Sequence, residues 1–460
     1  MSATAYATVP SGAEGDVNHS IHRRHWQQQH LDDASRSLLA RDSAAFLHQS
    51  VSTPCLMVVR RAEGIWIEDG AGKRYMDFHG NNVHHIGYGH PRLLEAVTRQ
   101  MHALPFAPRR YACDVAVELA EKLALIAPGN LAKVLFATGG SDAIEIAMKI
   151  ARISTGRFKT LSFWDAFHGA GFGASSIGGE QMFRAPIGPP LSGALHVPPF
   201  GDYRNAWGVR QGSAELCLNQ IRYVLEKEGD IGAVIAEPTR AVPYIADPGF
   251  WQQVRQACHD RGALLIFDEI PTGLGKTGRM FSCQHDAVVP DILVLGKALG
   301  GGLLPIAAVV CQPELDVAGH FAIGHYTHEK NPVTARAALT TLQIIEDEAL
   351  VANAATVGEL ALCGLRALQQ RHPLVGDVRG RGLLFGAELV TDRDTRAPAN
   401  EAADRVLYKA LSRGLSFKTT MGNVLTFTPA LVTTASDMDR ALSIIDECLS
   451  EVERELGLAA

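Results

Sequence analysis

The chain lacks an excess of basic residues, paired cysteines and long apolar runs. Lys and Arg number 43 against 49 Asp and Glu, and the net charge of −6 does not indicate a nucleic-acid-binding surface. The eight cysteines include no CxxC pair, so neither a disulfide framework nor a zinc site is indicated. No apolar run approaches the roughly 20 residues that a membrane helix requires, and Met1–Asp16 has no basic start followed by an apolar core, as a signal peptide would. We therefore expect a cytoplasmic protein with no metal site, no membrane contact and no nucleic-acid partner.

The composition that remains is typical of a globular protein with more than one domain. Hydrophobic residues make up 47% of the chain and charged residues 20%, and 460 residues are too many for one small core. Met1–Val17 is small and polar, His19–Ser50 has a helical pattern, and Val58–Asp77 alternates like antiparallel strands around a DGAGK turn. We expect a flexible N-terminus (1–17), an N-terminal segment that contributes to a small domain (18–85), a large domain (86–335) and a C-terminal small domain (336–460).

From about His90 onward, apolar strand-like runs alternate with helical stretches. This pattern predicts a mostly parallel sheet covered on both faces, in an α/β fold. The predicted strands are Lys133–Ala137, Thr160–Phe163, Ala233–Ala236, Leu264–Phe267, Ile292–Leu295 and Ile306–Val310. The rest predicts a smaller α+β domain, with a long helical stretch at Pro332–Gln370, strands at Leu383–Leu389 and Val424–Phe427, and helices at Glu401–Arg413 and Ser436–Leu456.

Two charged residues that follow neighbouring strands form the most informative pair in the chain. Asp268 ends the strand at Leu264–Phe267, and Lys297 follows the strand at Ile292–Leu295 and precedes three glycines. A carboxylate and a lysine at adjacent strand ends can face one ligand, as a pyridoxal phosphate site requires. There the lysine holds the cofactor as a Schiff base and the aspartate keeps the pyridine nitrogen protonated. The alternative is a surface salt bridge, which the apolar and glycine-rich surroundings of Lys297 make less favourable.

The segments DEIPTGLGKTG and PDILVLGKALGGG, in that order, resemble the cofactor motifs of the class III aminotransferase family, which has fold type I and uses pyridoxal 5'-phosphate. The resemblance covers nearly all of the chain after about residue 50. It implies a large cofactor-binding domain with a mostly parallel seven-stranded sheet, a smaller α+β domain, and a homodimer with shared active sites. It also implies that Lys297 and Asp268 are the catalytic residues.

Four further motifs recur in the order in which the family has them: TGGS, FHG, IAEP and YTHEKNP. The TGGS turn at Thr138–Ser141 precedes a helix, where glycines and unpaired N–H groups suit an anion. A glycine turn of this kind is weak evidence alone, and an aromatic beside an apolar strand is usually a core residue, so the family order carries these assignments. By resemblance, the cofactor-binding residues are Gly139, Gly140, Ser141, Phe167, His168, Glu237 and, from the neighbouring subunit, Thr327.

Three positions depart from the family pattern. Thr426 lies where transaminases of the family often have an arginine that binds the substrate carboxylate, and a threonine cannot replace its bidentate contact. Pro271 stands in place of the family glutamine, and Glu329–Lys330 replaces a pair of glycines. These departures indicate that the substrate differs from that of a typical transaminase.

Several added polar and cationic residues accompany these departures. The segments HGNNVH, PRRY, EPTR and THEKNP together resemble the class III branch of ammonia-lyases that act on (R)-1-hydroxy-2-aminoethylphosphonate. The resemblance implies a small-molecule aminophosphonate as substrate. Each arginine taken alone is more often a solvated surface residue, but we expect at least one of the four cations to bind the substrate anion. The predicted substrate-binding residues are Asn82, Arg109, Arg110, Arg240 and Lys330.

Three hypotheses on function follow from the sequence. The first is a pyridoxal phosphate-dependent ammonia-lyase that converts the hydroxylated aminophosphonate to phosphonoacetaldehyde and ammonia. The second is an ω-amine:oxo-acid aminotransferase of the same fold, since some transaminases bind their acceptor through a mobile arginine. The third is a binding or scaffold protein without cofactor, against which the retained Lys297, Asp268 and phosphate turn argue.

Overall fold

The computed structural model describes residues 20–50, 52–201 and 203–458, and the predicted flexible segment Met1–Val17 lies outside them. Helices and strands alternate through most of this range. The helices are α1 (Ile21–His30), α2 (Asp33–Ala45), α3 (Pro91–Ala103), α4 (Asp114–Ile126), α5 (Gly140–Thr155), α6 (Phe172–Ile177), α7 (Gln181–Arg184), α8 (Ser213–Glu228), α9 (Phe250–Arg261), α10 (Pro332–Asp347), α11 (Leu350–Arg371), α12 (Asn400–Ser412) and α13 (Ala435–Glu455).

The strands fall into a large central sheet and smaller sheets on either side of it in the sequence. They are β1 (Val59–Glu63), β2 (Trp66–Asp69), β3 (Arg74–Asp77), β4 (Lys133–Ala137), β5 (Lys159–Phe163), β6 (Ala194–Val197), β7 (Ile231–Ala236), β8 (Thr239–Arg240), β9 (Tyr244–Ile245), β10 (Leu264–Asp268), β11 (Ile292–Leu295), β12 (Ala307–Cys311), β13 (Val375–Arg381), β14 (Leu384–Asp392), β15 (Ala397–Pro398), β16 (Leu415–Ser416), β17 (Lys418–Thr420) and β18 (Val424–Phe427).

Within the described ranges, the central sheet has seven strands in the order β4-β12-β11-β10-β7-β5-β6. β12 runs antiparallel to both of its neighbours, and the other pairs are parallel. Every residue of β7 and of β11 is buried, as expected for strands covered by helices on both faces. The predicted α/β fold with a mostly parallel seven-stranded sheet is therefore confirmed.

The two faces of the central sheet belong to two hydrophobic clusters. Leu265 and Phe267 of β10 point into the larger cluster, whereas Ile266 between them points into the cluster that α5 covers. This alternation follows from the two-residue period of a strand. Because β10 and β11 are parallel neighbours, Asp268 and Lys297 emerge at the same edge of the sheet.

A second antiparallel sheet is formed by the C-terminal part of the chain, in the order β13-β14-β18-β17 with β15 beside β14. The N-terminal strands join the same part of the chain, because β3 pairs in parallel with the short strand β16. The smaller α+β domain is thus present, and the division at residues 85 and 335 stays a prediction.

The sequence pattern missed two helix breaks and seven strands, which are β6, β8, β9, β13, β15, β16 and β17. β6 is a short, partly buried edge strand, and β13 (VGDVRGR) carries charges that pair within the sheet, so neither has an apolar run. The predicted helical stretch Pro332–Gln370 is two helices, because Ala349 has a left-handed φ of 51°. The stretch His19–Ser50 likewise divides at Leu31, before the N-cap Asp32.

Among the residues that the structure describes, one helix has the length and composition of a membrane span. α11 has 22 residues and qualifies on these two criteria alone, which the expectation from apolar runs did not foresee. Its apolar side chains at Leu350, Ala354, Val357, Ala361 and Leu365 are buried within the larger hydrophobic cluster. The packing accounts for the apolar character of this helix.

Candidate active site

A cavity of about 200 Å³ lies at the edge of the central sheet where Asp268 and Lys297 emerge. Residues from five separate segments of the chain meet there, which only the folded sheet can bring about. The lining residues are Gly140, Ser141, Phe167, His168, Gly169, Glu237, Ala241, Asp268, Ile270, Pro271 and Lys297.

Asp268 is held rigidly in this cavity. It is 2% exposed, and its Oδ2 lies 2.8 Å from Nδ1 of the buried His168. The backbone N–H of Ile270 donates to Oδ1 at 3.1 Å. His168 is itself close to the Ser162 hydroxyl, with Nε2 at 3.4 Å from Oγ. The imidazole therefore fixes the orientation of the carboxylate, a role that the position of His168 in the sequence did not indicate.

The adjacent carboxylate, Glu269, points away from the cavity. It accepts hydrogen bonds from the backbone N–H groups of Ser282 and Cys283, at 2.6 and 2.7 Å. Burial raises the pKa of Glu269 to about 7, against the opposing effect of these bonds. The two adjacent carboxylates thus differ in orientation: Asp268 faces the cavity, whereas Glu269 anchors the loop that follows.

Lys297 begins a tight turn directly after β11. The turn spans Lys297–Gly300, and Lys297 has a left-handed φ of 42°, which is unfavourable for a residue with a side chain. The preceding Gly296 and the following Gly301 adopt conformations that a turn of this kind needs. The strained backbone delivers the lysine to the cavity instead of continuing the strand.

The start of α5 forms another wall of the cavity. Gly139 is the N-cap and no side chain caps the helix, so the first backbone N–H groups have no partner from a cap. A Cβ on Gly140 would lie 2.9 Å from Cδ1 of Ile270, and one on Gly169 would lie 2.4 Å from Oγ of Ser141. Ser141 Oγ accepts from the N–H of Ala170 at 3.0 Å. Only glycines leave this corner open for an anion.

Phe167 and Glu237 complete the side walls. The Phe167 ring is partly buried and packs at 4.5 Å from the Phe183 ring. Glu237 is 5% exposed, and its Oε2 accepts from the N–H of Ala241 at 3.0 Å. Both side chains line the cavity, so the predicted cofactor residues other than Gly139 and Thr327 meet in one place.

The donors around the cavity fit pyridoxal phosphate. An open helix N-terminus suits the phosphate, a buried and oriented carboxylate suits a protonated pyridine nitrogen, and a lysine suits the aldehyde carbon. The glycine-lined corner at Gly140 and Gly169 is the observation that favours the phosphate, because a Cβ at either position would collide with its neighbours.

Two of the predicted substrate residues lie in segments that adjoin the cavity, since Ala241 follows Arg240 and the Gly80–Asn82 turn contacts the Lys297–Gly300 turn. Arg240 is 3% exposed and donates through Nη2 to the backbone oxygen of Asp165, while its Nε and Nη1 have no hydrogen-bond partner within the described structure. Asn82 is also 3% exposed and lies in the tight turn Gly80–Asn82. Its Oδ1 has no hydrogen-bond partner among the described residues. Buried polar atoms of this kind commonly bind a ligand or water.

The other predicted substrate residues lie on the surface, outside the cavity lining. Arg109 is 2.6 Å from His325 through Nη2, Arg110 stacks over Tyr111, and Lys330 is exposed. Thr327 is exposed in the same segment as Lys330. These residues therefore form a surface cluster in the single chain, and their roles in a shared site stay predictions.

The three departures from the family pattern have clear structural settings. Thr426 is fully buried in β18, and its Oγ1 lies 2.7 Å from Oγ1 of Thr420. Pro271 lines the cavity. Glu329 has one oxygen buried without a hydrogen-bond partner among the described residues, and Lys330 is exposed.

Two titratable residues, Lys276 in the DEIPTGLGKTG segment and His79 in the HGNNVH segment, were given no role of their own by the sequence. Lys276 is fully buried and donates to the backbone oxygens of Pro429 and Thr428 at 2.6 and 3.4 Å. Burial lowers its pKa to about 7. His79 has its pKa lowered to about 3 by burial and then by the charge of Lys418.

Comparison with known proteins gives a consistent result. The family described as aminotransferase class III matches residues 48–449. A (R)-1-hydroxy-2-aminoethylphosphonate ammonia-lyase from Vibrio splendidus is 43% identical over 96% of this chain and 95% of its own length. An isoleucine 2-epimerase from Lentilactobacillus buchneri is 34% identical over 92% and 96%. An amine transaminase from an uncultivated Pseudomonas species, in its PLP-bound form, superposes with a TM-score of 0.84 and 30% identity over 89% of this chain and 99% of that one.

Proposed function

Because the chain belongs to the class III aminotransferase family of pyridoxal 5'-phosphate enzymes, we propose that it is an ammonia-lyase acting on a small hydroxylated aminophosphonate. The proposed substrate is (R)-1-hydroxy-2-aminoethylphosphonate, and the products are phosphonoacetaldehyde and ammonia. The substrate loses water to give an enamine, which regains water on hydrolysis, so no amino acceptor is consumed. We also propose a cytoplasmic location.

One observation carries the choice of a lyase over a transaminase. Thr426 stands at the position of the carboxylate-binding arginine, and its hydroxyl is engaged by Thr420 at 2.7 Å inside the small-domain sheet. A neutral, buried and hydrogen-bonded threonine lacks the charge and the bidentate geometry with which an arginine binds the carboxylate of an oxo-acid acceptor. The similarity to an ammonia-lyase over 96% of the chain supports the same choice.

The proposed chemistry assigns a task to each cavity residue. When bound, pyridoxal phosphate supplies an electron sink for negative charge on the carbon that bears the substrate amine. Lys297 holds the cofactor and, as an amine, takes the proton from that carbon. Asp268 keeps a proton on the ring nitrogen, and His168 fixes the carboxylate at 2.8 Å. The N–H groups of Gly140 and Ser141 bind the phosphate, Phe167 covers the ring face, and Glu237 holds the Ala241 loop against the site.

The substrate anion is proposed to bind at the small-domain side of the cavity. Arg240 supports this placement, because its guanidinium is 3% exposed and two of its nitrogens have no hydrogen-bond partner among the described residues. A buried guanidinium in this state is stabilised by an oxyanion. Asn82, with an unpaired and buried Oδ1, is proposed to bind the substrate hydroxyl or amine.

We propose a homodimer in which each active site is completed by the partner subunit. The segment that carries Thr327 and Lys330 is exposed, and so are large apolar side chains near it: Phe321 is 65% and Tyr111 58% exposed. Exposed apolar residues of this size favour an interface. Thr327 would then reach the partner's phosphate, and Arg109, Arg110 and Lys330 would lie at the partner's substrate entrance.

A simple incubation tests the proposed reaction. Purified holoenzyme with the aminophosphonate and no oxo acid should release ammonia and aldehyde in equal amounts. The second candidate, an ω-amine:oxo-acid aminotransferase, is favoured by the superposition on an amine transaminase. It predicts instead that an added oxo acid such as pyruvate is required and is converted to its amino acid. The scaffold hypothesis is set aside, since Lys297 and Asp268 line one cavity in a family of pyridoxal phosphate enzymes.

A further inference from the structure

Four residues lie side by side across the small-domain sheet in one row. Lys418 of β17 is the direct partner of Thr426 in β18, Thr426 is the partner of Gly386 in β14, and Gly386 is the partner of Arg379 in β13. Direct partners in antiparallel strands project their side chains from the same face. The row therefore presents a lysine and an arginine on either side of two small residues, Thr426 and Gly386.

The face that carries this row looks toward the active site. Arg379 donates through Nε to the backbone oxygen of Pro243 at 2.7 Å, and a Cβ on Gly386 would lie 2.9 Å from Cγ of Pro243. Pro243 follows shortly after Arg240 and Ala241, and Ala241 lines the cavity. The opposite face is closed, since Phe417 and Phe427 pack there with ring centroids 4.8 Å apart.

The Lys418 end of the row is tied to the turn that packs against Lys297. The N–H of Phe78 donates to the oxygen of Ser416 at 2.7 Å, and Thr428 Oγ1 donates to the oxygen of His79 at 3.0 Å. The next residues form the turn Gly80–Asn82, which contacts the Lys297–Gly300 turn. Burial and then the charge of Lys418 lower the pKa of His79 to about 3, with a smaller contribution from Lys297. The side chains of Lys418 and Lys297 thus both lie within electrostatic reach of His79.

The cation at the other end of the row is already neutralised. Arg379 Nη1 lies 2.6 Å from Asp377 Oδ2 and 2.8 Å from Glu388 Oε2, both on the same face. These carboxylates keep the pKa of Arg379 above its usual value. Lys418 lies at the opposite end of the row, on the side of the Lys297 turn and directly beside Thr426.

We infer that Lys418 binds the anionic group of the substrate, and that its strand supplies the positive charge that Thr426 has lost. The choice of a phosphonate as the anion rests on the proposed function, and the choice of Lys418 as its ligand rests on the register of the sheet. A compact ammonium suits a tetrahedral, doubly charged oxyanion, whereas the planar guanidinium suits a carboxylate. Arg240 and Lys418 would approach the anion from the large and the small domain.

Binding of simple anions to the holoenzyme tests this inference without turnover. Ethylphosphonate and propionate are titrated by calorimetry into wild type, Lys418→Met, Lys418→Arg and the control Lys133→Met. Lys133 is a surface lysine, paired with Asp316, at the amino end of β4 and far from the site. We expect Lys418→Met to weaken ethylphosphonate binding roughly tenfold or more, Lys418→Arg to retain most of it, and Lys133→Met to match wild type. Cofactor absorbance in each variant reports on folding, and Lys418→Gln repeats the test if the methionine variant loses that absorbance.

A double variant separates loss of charge from loss of packing. Lys418→Met combined with Thr426→Arg returns a cation to the adjacent strand of the same row and should recover propionate binding. If Lys418→Met binds both anions within twofold of wild type, the inference is wrong and the lyase proposal stands. If binding is lost and neither arginine variant recovers it, Lys418 acts through packing and the inference is again wrong. If wild type binds propionate through Lys418 but not ethylphosphonate, the inference holds and the phosphonate substrate class is contradicted.

Discussion

The cofactor side and the substrate side of the active site are built in different ways. On the cofactor side, Asp268 is oriented by His168 at 2.8 Å, the phosphate corner is shaped by glycines, and all contributing residues end or follow strands of one sheet. On the substrate side, Arg240, Asn82 and Lys418 come from three distant segments. Two of these, Arg240 and Asn82, keep buried polar atoms without hydrogen-bond partners among the described residues.

This difference separates what is common to the family from what is particular to this chain. A cofactor site of this kind can serve any reaction that starts by removing a proton next to an amine. The substrate side decides which anion binds and therefore which reaction follows. Variants on the cofactor side should therefore abolish every reaction of the enzyme. Variants on the substrate side should change which substrate is used.

The largest effect is expected at Lys297 on the cofactor side. Lys297→Ala removes both the attachment point of the cofactor and the base, so we expect a loss of kcat of more than roughly 10⁴-fold. The cofactor absorbance of the lysine-bound form should vanish as well. Turnover near the wild-type rate would contradict the whole account of the cavity.

Asp268→Asn should have the next largest effect, on kcat but not on anion affinity. A neutral amide cannot keep the ring nitrogen protonated, and we expect the barrier to rise by about 3–4 kcal/mol, comparable with the removal of one preorganised electrostatic group. Steady-state kinetics with the aminophosphonate measure this, and the ethylphosphonate affinity is the internal control. A kcat within twofold of wild type would remove the role assigned to Asp268.

Arg240→Gln should show the opposite signature, on the substrate side. We expect KM for the aminophosphonate to rise, because a buried anion loses a charge-assisted pair. The rise should correspond to a loss of about 2–3 kcal/mol in binding free energy. The cofactor spectrum should be unchanged, and so should the activity on any uncharged amine. Arg222→Gln is the matched control, since Arg222 is exposed in α8 and is hydrogen-bonded to Gln253 at 3.3 Å. Equal KM values in the two variants would place the anion elsewhere.

The buried Lys276 should make the free energy of unfolding depend on pH. Burial lowers its pKa to about 7 in the folded chain, against 10.5 as the ordinary value. Between these values the unfolded chain binds the proton more strongly, so stability should rise with pH from about 7 to 10 and the destabilising contribution should be full below pH 7. We expect wild type to gain about 3 kcal/mol more than Lys276→Met between pH 7 and 9.5. Urea unfolding at both pH values measures the difference, and parallel curves for the two proteins would contradict it.

The sequence predicted the cofactor side well, for a physical reason. Each of its residues lies at the end of an apolar run or in a glycine turn, and the carboxyl ends of neighbouring parallel strands must meet at one edge. Asp268 and Lys297 could therefore be placed at one edge from the strand pattern, whereas Ser141 and Glu237 were assigned by resemblance, and all four line the same cavity. The roles of these residues in catalysis stay predictions until the variants are measured.

The substrate side could not be predicted in the same way. Lys418 is one basic residue in a polar stretch, and only the pairing of β17 with β18 places it beside Thr426. The strand β13 was missed because its charged side chains, such as Arg379, are neutralised across the sheet by Glu388 at 2.8 Å and do not face water. Long-range register of this kind has no local signal in the sequence.

The number of turnovers without an amino acceptor tests the central claim most directly. The holoenzyme is incubated with a large excess of the hydroxylated aminophosphonate and no oxo acid, and ammonia is counted per active site. A lyase whose substrate side has replaced the carboxylate arginine should release many equivalents of ammonia, with an equal amount of phosphonoacetaldehyde and an unchanged cofactor spectrum. Release that stops at one equivalent, with the cofactor left in its amine form until pyruvate is added, would contradict the account and identify a transaminase.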